Sequence, residues 1–382
     1  MRTDPLYILA LLCLFIAVSD WLVRRTVLRH AGTALLVILV TAVAANVGVL
    51  PAGSSEAAPV PVYDAIFAYI APLAIFWLLL LVNLRDVLRA GMPAIALFLI
   101  GAVGILIGAF VAVQLFDLRA LGPLHPAITG MFVGTYIGGS INFNAVALSY
   151  DVVREGALYA GTVAVDNVIT TLWMIATLAL PRLLAPLWGG YAVAGSAVDG
   201  ADVAGVAEDT ERLHPFDVAL TFALGFVSLL AAQRMAAITG VSAILLITTF
   251  ALVLAQLPII GRMRGTRVLG MFAVYLFLAV IGAFCDVRQL IALGPLGLLL
   301  LGFAGTLVLI HGTIVFLAAR VLRLDVFTAA VASQANVGGS TSALALARSL
   351  GRSDLVLPAV LIGSLGNALG TFIAFWVVRQ VG

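Results

Sequence analysis

The sequence predicts an all-α polytopic membrane protein made of two structural repeats. Three observations carry that prediction. The chain is 63% hydrophobic and only 10% charged, with a mean hydropathy of +1.19. Its apolar runs, such as 34–50 and 290–310, reach the roughly 20 residues that a helix needs to cross a bilayer. Residues 124–171 also return, without a gap, two hundred residues later at 324–371.

Composition comes first. A soluble domain of this length carries a far more polar surface. A membrane barrel would show short alternating strands in place of long apolar runs. The net charge of +2 gives no reason to expect a nucleic-acid partner. All 20 basic residues are arginine, and most sit between apolar runs as topology markers. Cys13 and Cys285 lie in apolar segments without metal or disulfide spacing and read as packing residues. The chain is expected in a cell membrane, as a multi-pass protein of the bacterial inner membrane.

Twelve spans follow from the apolar runs, near 5–23, 31–50, 64–83, 93–116, 125–149, 157–180, 215–233, 239–258, 268–285, 293–319, 325–347 and 354–378. The first resembles a signal peptide, but Asp4 and the continuation "WLV" after Asp20 favour an uncleaved helix. Residues 183–214 are rich in glycine and alanine, then acidic, and read as a solvated linker. The linker separates a first repeat (1–182) from a second (215–382).

The repeat rests on particular pairs. Gly138-Gly139-Ser140 aligns with Gly338-Gly339-Ser340, Asn167 with Asn367, and Thr171 with Thr371. Twelve plain crossings would make the two copies parallel and split the arginines ten to ten. Inverting the second copy groups Arg24, Arg25, Arg29, Arg85, Arg89 and Arg154 with Arg262, Arg264, Arg267, Arg320, Arg323 and Arg379, twelve against eight. The positive-inside tendency favours inversion. Inversion needs one crossing more or fewer than twelve, and the linker is the expected place for it.

The glycine pairs carry the functional expectation. Adjacent glycines cost about 1 kcal/mol each in a helix interior, and they permit positive φ, so the helix can stop and restart. Freed backbone groups must then face protein, an ion or a wet cavity. Ser140, Asn142 and Asn144 stand ready in the first copy; Gln334, Asn336, Ser340, Thr341 and Ser342 do so in the second. Packing of small residues between helices is the competing reading for one such segment. Two broken helices in matched positions point to a transporter site.

Asp166 lies about ten residues into its span, or roughly 15 Å deep. A carboxylate there is costly and must face a cavity, a partner or a bound cation. Asn167 is its polar neighbour; the matched pair is Gly366-Asn367, so the acid is not repeated. A protonated Asp166 bonding between helices is the competing reading. His311 is the other titratable group in a span, either a relay partner for Asp166 or a satisfied core histidine. No cofactor is expected beyond a bound sodium ion.

The segments "PLAIFWLLLLVNLRDV", "GTYIGGSINFNAVA", "VAVDNVITTLWM" and "SQANVGGSTSALALA" resemble the membrane family called domain of unknown function 819, over nearly the whole chain. More distantly, the chain is similar to cation/proton antiporters and bile-acid-type sodium symporters. That resemblance implies a core domain (93–180 and 293–378) moving against a panel (5–83 and 215–285), with two discontinuous helices crossing at the midplane. It also implies elevator-type alternating access. The panel is the expected place for a homodimer contact. The order Asp166-Asn167 is the reverse of the Asn-Asp pair in those antiporters, and the chain has no lysine for their electrogenic mechanism. The expected function is a sodium- or proton-coupled secondary transporter of a small solute, such as an organic anion. A monovalent cation/proton antiporter is the alternative. A membrane-embedded enzyme is remote, because HExxH and GxSxG are both missing.

Overall fold

The computed structural model describes residues 4–26, 32–54, 58–184, 186, 188, 214–260, 263–285 and 294–382. These residues are helical, without a strand. In the first half the helices are α1 (Pro5–Arg25), α2 (Gly32–Asn46), α3 (Pro61–Leu79), α4 (Met92–Leu115), α5 (His125–Gly138), α6 (Ser140–Ser149) and α7 (Gly156–Leu184). In the second they are α8 (Pro215–Thr239), α9 (Ala243–Leu254), α10 (Thr266–Phe284), α11 (Gly294–Val321), α12 (Val326–Ser349) and α13 (Val356–Val381). Among the described residues, eight helices are long and apolar enough to cross a membrane; Thr33–Asn46 and Ala243–Leu254 are shorter apolar helices. The chain is thus a multi-pass membrane protein, and each expected span has a helical counterpart.

Local chemistry sets several boundaries. Asp4 caps α1 by accepting from the Leu6 and Tyr7 amides, ahead of Pro5. In α3 a π-turn at Ile66–Ile70 precedes Pro72. The wide turn accommodates a ring that would meet the carbonyl four residues back in a regular helix. Cys285 is buried as expected, whereas Cys13 is exposed on α1.

The glycine-broken segments depart from the expected crossing helices. α5 and α6 do not continue one another across the membrane; they fold back side by side. A Cβ built on Gly134 would lie 3.2 Å from Asn142 Cβ, and one on Gly130 3.5 Å from Val146 Cγ1. Residues eight apart in a continuous helix would stand about 12 Å apart. The turn is a single residue, Gly139, at φ 104°. α12 turns in the same way at Gly339, φ 73°. Its two ends meet through Arg352, whose guanidinium bonds Asp325 at 2.8 Å and lies over the Phe327 ring. Hydrogen bonding from Asp354, reinforced by Asp325, raises the Arg352 pKa above its ordinary value. We call these re-entrant pairs hairpin 1 (α5–α6) and hairpin 2 (α12).

The hairpins enter from opposite ends of the bundle. The open end of hairpin 1 lies by the C-terminal end of α13: Pro126 packs near Gly382 and Tyr150 against Phe375. The open end of hairpin 2 lies by the start of α13, at Arg352 and Asp354. The tips meet between them, with a Cβ on Gly139 3.8 Å from Gly339 Cα. Around the tips the halves run antiparallel. Gly104 packs on His311 and Gly108 on Leu307, so α4 opposes α11. Leu78 packs on Gly270 and Phe67 on Phe284, so α3 opposes α10. Asn46 donates to Cys285 O, and Gln256 donates to Val82 O, equivalent clamps in the two halves.

Following these contacts, the last residues of α7 and the first of α8 both lie at the end where hairpin 2 opens. We call it the linker end. The sequence placed an extra or missing crossing in 183–214, most of which lies outside the described residues. Instead, the fold-back removes one crossing from each half. It also moves Arg154 and Arg379 away from the group the sequence assigned them to. Among the described residues, Arg24, Arg25, Arg85, Arg89, Arg182, Arg264, Arg267, Arg320, Arg323, Arg348 and Arg352 lie at the linker end, against Arg119, Arg154, Arg234 and Arg379 at the other.

This topology is checked by single cysteines in a protein whose Cys13 and Cys285 are replaced. Cysteines at Arg119 and Glu155 should react with an impermeant maleimide from one membrane face, and cysteines at Arg323 and Ser353 from the other. Labelling of 119 and 155 from opposite faces would restore the crossing helix.

Candidate functional site

The hairpin tips line a cavity of about 670 Å³. Gly138, Gly139, Ser140 and Asn144 come from hairpin 1, and Gly338, Gly339, Ser340 and Thr341 from hairpin 2. α7 adds Tyr159, Asp166 and Asn167, and α13 adds Ser364 and Asn367. The far wall is α2, α3 and α10, with Thr33, Leu81, Val82 and Arg267 marking its rim at the linker end. The opposite end is closed. Asn144 and Tyr159 are buried there, and the Tyr159 hydroxyl donates to Asn144 Oδ1. Beyond them Ser149 meets Ser242 at 3.3 Å, and Gly156 packs against the Phe284–Cys285 backbone. Arg154 pairs with Asp64 at 3.4 Å. Both of its partners are exposed, so this ion pair is worth about 0–1 kcal/mol and is a weak tie.

Why the tips can meet is visible in the glycines. The Gly138 α-carbon stands against the backbone of Gly366 and Asn367, and a Cβ there would overlap both. Gly363 does the same against the Ser340 backbone. Membrane helices associate through close packing of small residues, because lipid provides little hydrophobic drive between helices. The two second arms begin at Ser140 and Ser340, so each tip turns a helix N-terminus, with its partial positive charge, toward the cavity.

Five of the expected site residues stand behind the cavity. Asn142 is buried and pins hairpin 1 to α13: it accepts from Thr371 at 2.7 Å and donates to Gly366 O at 3.3 Å. Ser342 donates to Gly338 O, bracing the tip of hairpin 2. Gln334 accepts from Thr177, and the Asn336 amide, oriented to donate, reaches Ala332 O and Phe98 O. His311 is not at the cavity. Its Nδ1 faces Gly101 O at 2.8 Å, which requires the proton on Nδ1 because a carbonyl only accepts. Its Nε2 is left for the Ser333 hydroxyl at 2.9 Å, while Trp173 Nε1 donates to the same hydroxyl oxygen. A neutral His311 thereby fills every bond and ties α4, α7, α11 and hairpin 2 together.

Asp166 lines the cavity, yet its Oδ1 is shut off from solvent without a hydrogen-bond partner. The Tyr136 hydroxyl, fully buried on α5, is also unpartnered. Sequence reasoning passed over Tyr136, Tyr159 and Ser364. A position two residues before the glycine pair was the only signal for Tyr136. The far wall gave none, since its lining is largely apolar.

The Asn142–Thr371 bond gives a direct test. Thr371→Val leaves Asn142 Oδ1 unpaired inside the protein and should cost about 1–3 kcal/mol. Thermal unfolding in detergent should show that loss, and Thr371→Ser should restore most of it.

Comparison with known proteins agrees with the membrane reading. A family model described as "Protein of unknown function (DUF819)" matches residues 10–381. The chain is 30% identical over 400 residues to "Uncharacterized membrane protein YjcL" of Bacillus subtilis (strain 168), covering 98% of each protein. The chain belongs to the DUF819 family of uncharacterised membrane proteins.

Proposed function

We propose that this protein is a secondary active transporter, coupled to sodium or protons, that moves a small solute by elevator-type alternating access. One observation carries the reading: two re-entrant hairpins, entering from opposite ends, close their tips on a cavity that holds a single buried-edge carboxylate, Asp166. Helix ends inside a membrane are tolerated where they line a cavity, and matched ones in two halves mark transport sites. The antiparallel pairing of α4 with α11 and α3 with α10 supports an inverted repeat of five crossings and one hairpin per half.

In this reading the hairpins, α4, α7, α11 and α13 form the moving core, and α1–α3 with α8–α10 the panel, through which two copies associate. The arginine-rich linker end is cytoplasmic by the positive-inside tendency, so the cavity faces inward. The thin closure at the other end, with its weak Arg154–Asp64 tie, is what the core would break on moving outward. The protein carries its solute through unaltered rather than transforming it. The cavity volume favours an organic solute over the alternative of a bare cation/proton antiporter, which needs no such space.

The test is the thermal stability of purified protein against sodium, potassium and pH. A ligand bound only by the folded state stabilises it by about 2.7 kcal/mol at one hundred times its Kd. Wild type should show a sodium- or pH-dependent gain that Asp166→Asn loses. An identical profile in the variant would remove Asp166 from coupling and sink the reading.

A further inference from the structure

We propose that the floor of the cavity, Asn144 held by Tyr159, takes the carboxylate head of an organic anion whose apolar body lies on the panel. The inference rests on the transporter reading above and names the class of solute and the residues that read its head.

Asn144 lines the cavity one turn outward of Ser140, on the same face of α6, and is only 5% exposed. The Tyr159 hydroxyl occupies its Oδ1. Its Nδ2 has no hydrogen-bond partner among the described residues, yet, unlike Gln334 Nε2, it is not sealed from solvent and opens into the cavity. A buried amide nitrogen left open in this way calls for an acceptor. The start of α6 adds to the demand. Its first amides have no acceptor within the helix, and the positive end of its dipole faces the same space. An open amide nitrogen beside a helix start selects an acceptor with negative charge, and a carboxylate has oxygens for both. Among the described residues, Arg267 is the one basic side chain lining the cavity; it stands at the rim and favours entry of the same charge.

The other walls define the body. Leu78 of α3 and Met271, Val274 and Leu278 of α10 make an apolar face across from the tips, the α10 residues at the spacing of one helix side. A few polar groups that orient a ligand against apolar walls are the usual make-up of a small-molecule site. Two hundred residues after Asn144 and Tyr159 stand Leu344 and Ala359, so the donor floor belongs to hairpin 1 and α7 alone, and the solute has one charged end. Asp166 lies seven residues beyond Tyr159 on α7, about 10 Å nearer the linker end. Its negative charge repels the head until a sodium ion or a proton neutralises it, so solute and coupling ion bind together.

The test reads the unfolding temperature of the full-length protein in detergent, titrated with phenylacetate, phenylacetamide (the same body without charge) and acetate (the head without a body). In acidic buffer containing sodium, phenylacetate should stabilise wild type with a midpoint at least tenfold below those of the other two. Asn144→Asp keeps an oxygen for Tyr159 and puts an acceptor where the donor stood, so it should lose the phenylacetate response and gain one to phenethylamine. Asn144→Leu, with the residue found at the matched position, should lose the response without that gain. Tyr159→Phe, which frees the amide to turn, should raise the phenylacetate midpoint several-fold. No wild-type response to phenylacetate, or equal midpoints for phenylacetate and phenylacetamide, overturns the solute class. A wild-type midpoint in Asn144→Asp and Asn144→Leu overturns the floor. Asp166→Asn separates this inference from the coupling reading: it should bind phenylacetate without dependence on sodium or pH. A wild-type dependence in that variant removes Asp166 from coupling and leaves the floor in place.

Discussion

A helix that stops inside a bilayer leaves backbone groups that lipid cannot satisfy, and the rest of this structure follows from how those groups are housed. Each hairpin turns on one glycine, Gly139 or Gly339, at positive φ, where a side chain would add strain of about 1–3 kcal/mol. The two tips then shelter each other. Backbone contact between Gly138 and Gly366, and between Gly363 and Ser340, leaves no room for lipid or for side chains. What the tips do not cover with protein, they cover with a cavity. Polar side chains gather at these tips, among them Ser140, Asn144, Ser340, Thr341 and Asn367.

The fold-back also organises the molecule at large. Each half of the chain holds one hairpin, and the helices around the tips pair antiparallel. α4 lies against α11 and α3 against α10, and eleven described arginines lie at one end against four at the other. The two halves are chemically unequal at the cavity wall. On α13, Gly366 takes the backbone of hairpin 1 in direct contact, while the position two hundred residues earlier is Asp166 on α7, in the wall of the cavity.

Much of this was legible in the sequence. The twelve apolar segments, the glycine pairs and Asp166 all stand where expected. What misled was the assumption that an apolar stretch of 25 residues must cross. A run such as 125–149 has the length of a span whether it goes straight or turns, because hydropathy counts residues and not direction. Arginine placement shifts only modestly: the fifteen described arginines split ten to five with straight crossings in an inverted arrangement, and eleven to four with the fold-back. His311 shows the opposite limit. A titratable residue in a span suggests chemistry, yet Gly101 O, from the other half of the chain, and Ser333, on the next helix, satisfy it completely. Tyr136 was invisible for the same reason in reverse, since a missing partner is a property of three dimensions. Asn142 and Asn336 were correctly marked as polar but serve to seat the hairpins.

The account turns on the cavity at the hairpin tips being open to each side of the membrane in turn. Ser364, at its wall, offers the most direct measurement: a single cysteine there, in a protein lacking Cys13 and Cys285, treated with an impermeant maleimide in vesicles of both orientations. The account predicts labelling from the linker face in the state described here. It also predicts that a cross-link locking the panel against the displaced core moves labelling to the other face. Labelling from one face alone in every locked state would contradict alternating access at these tips.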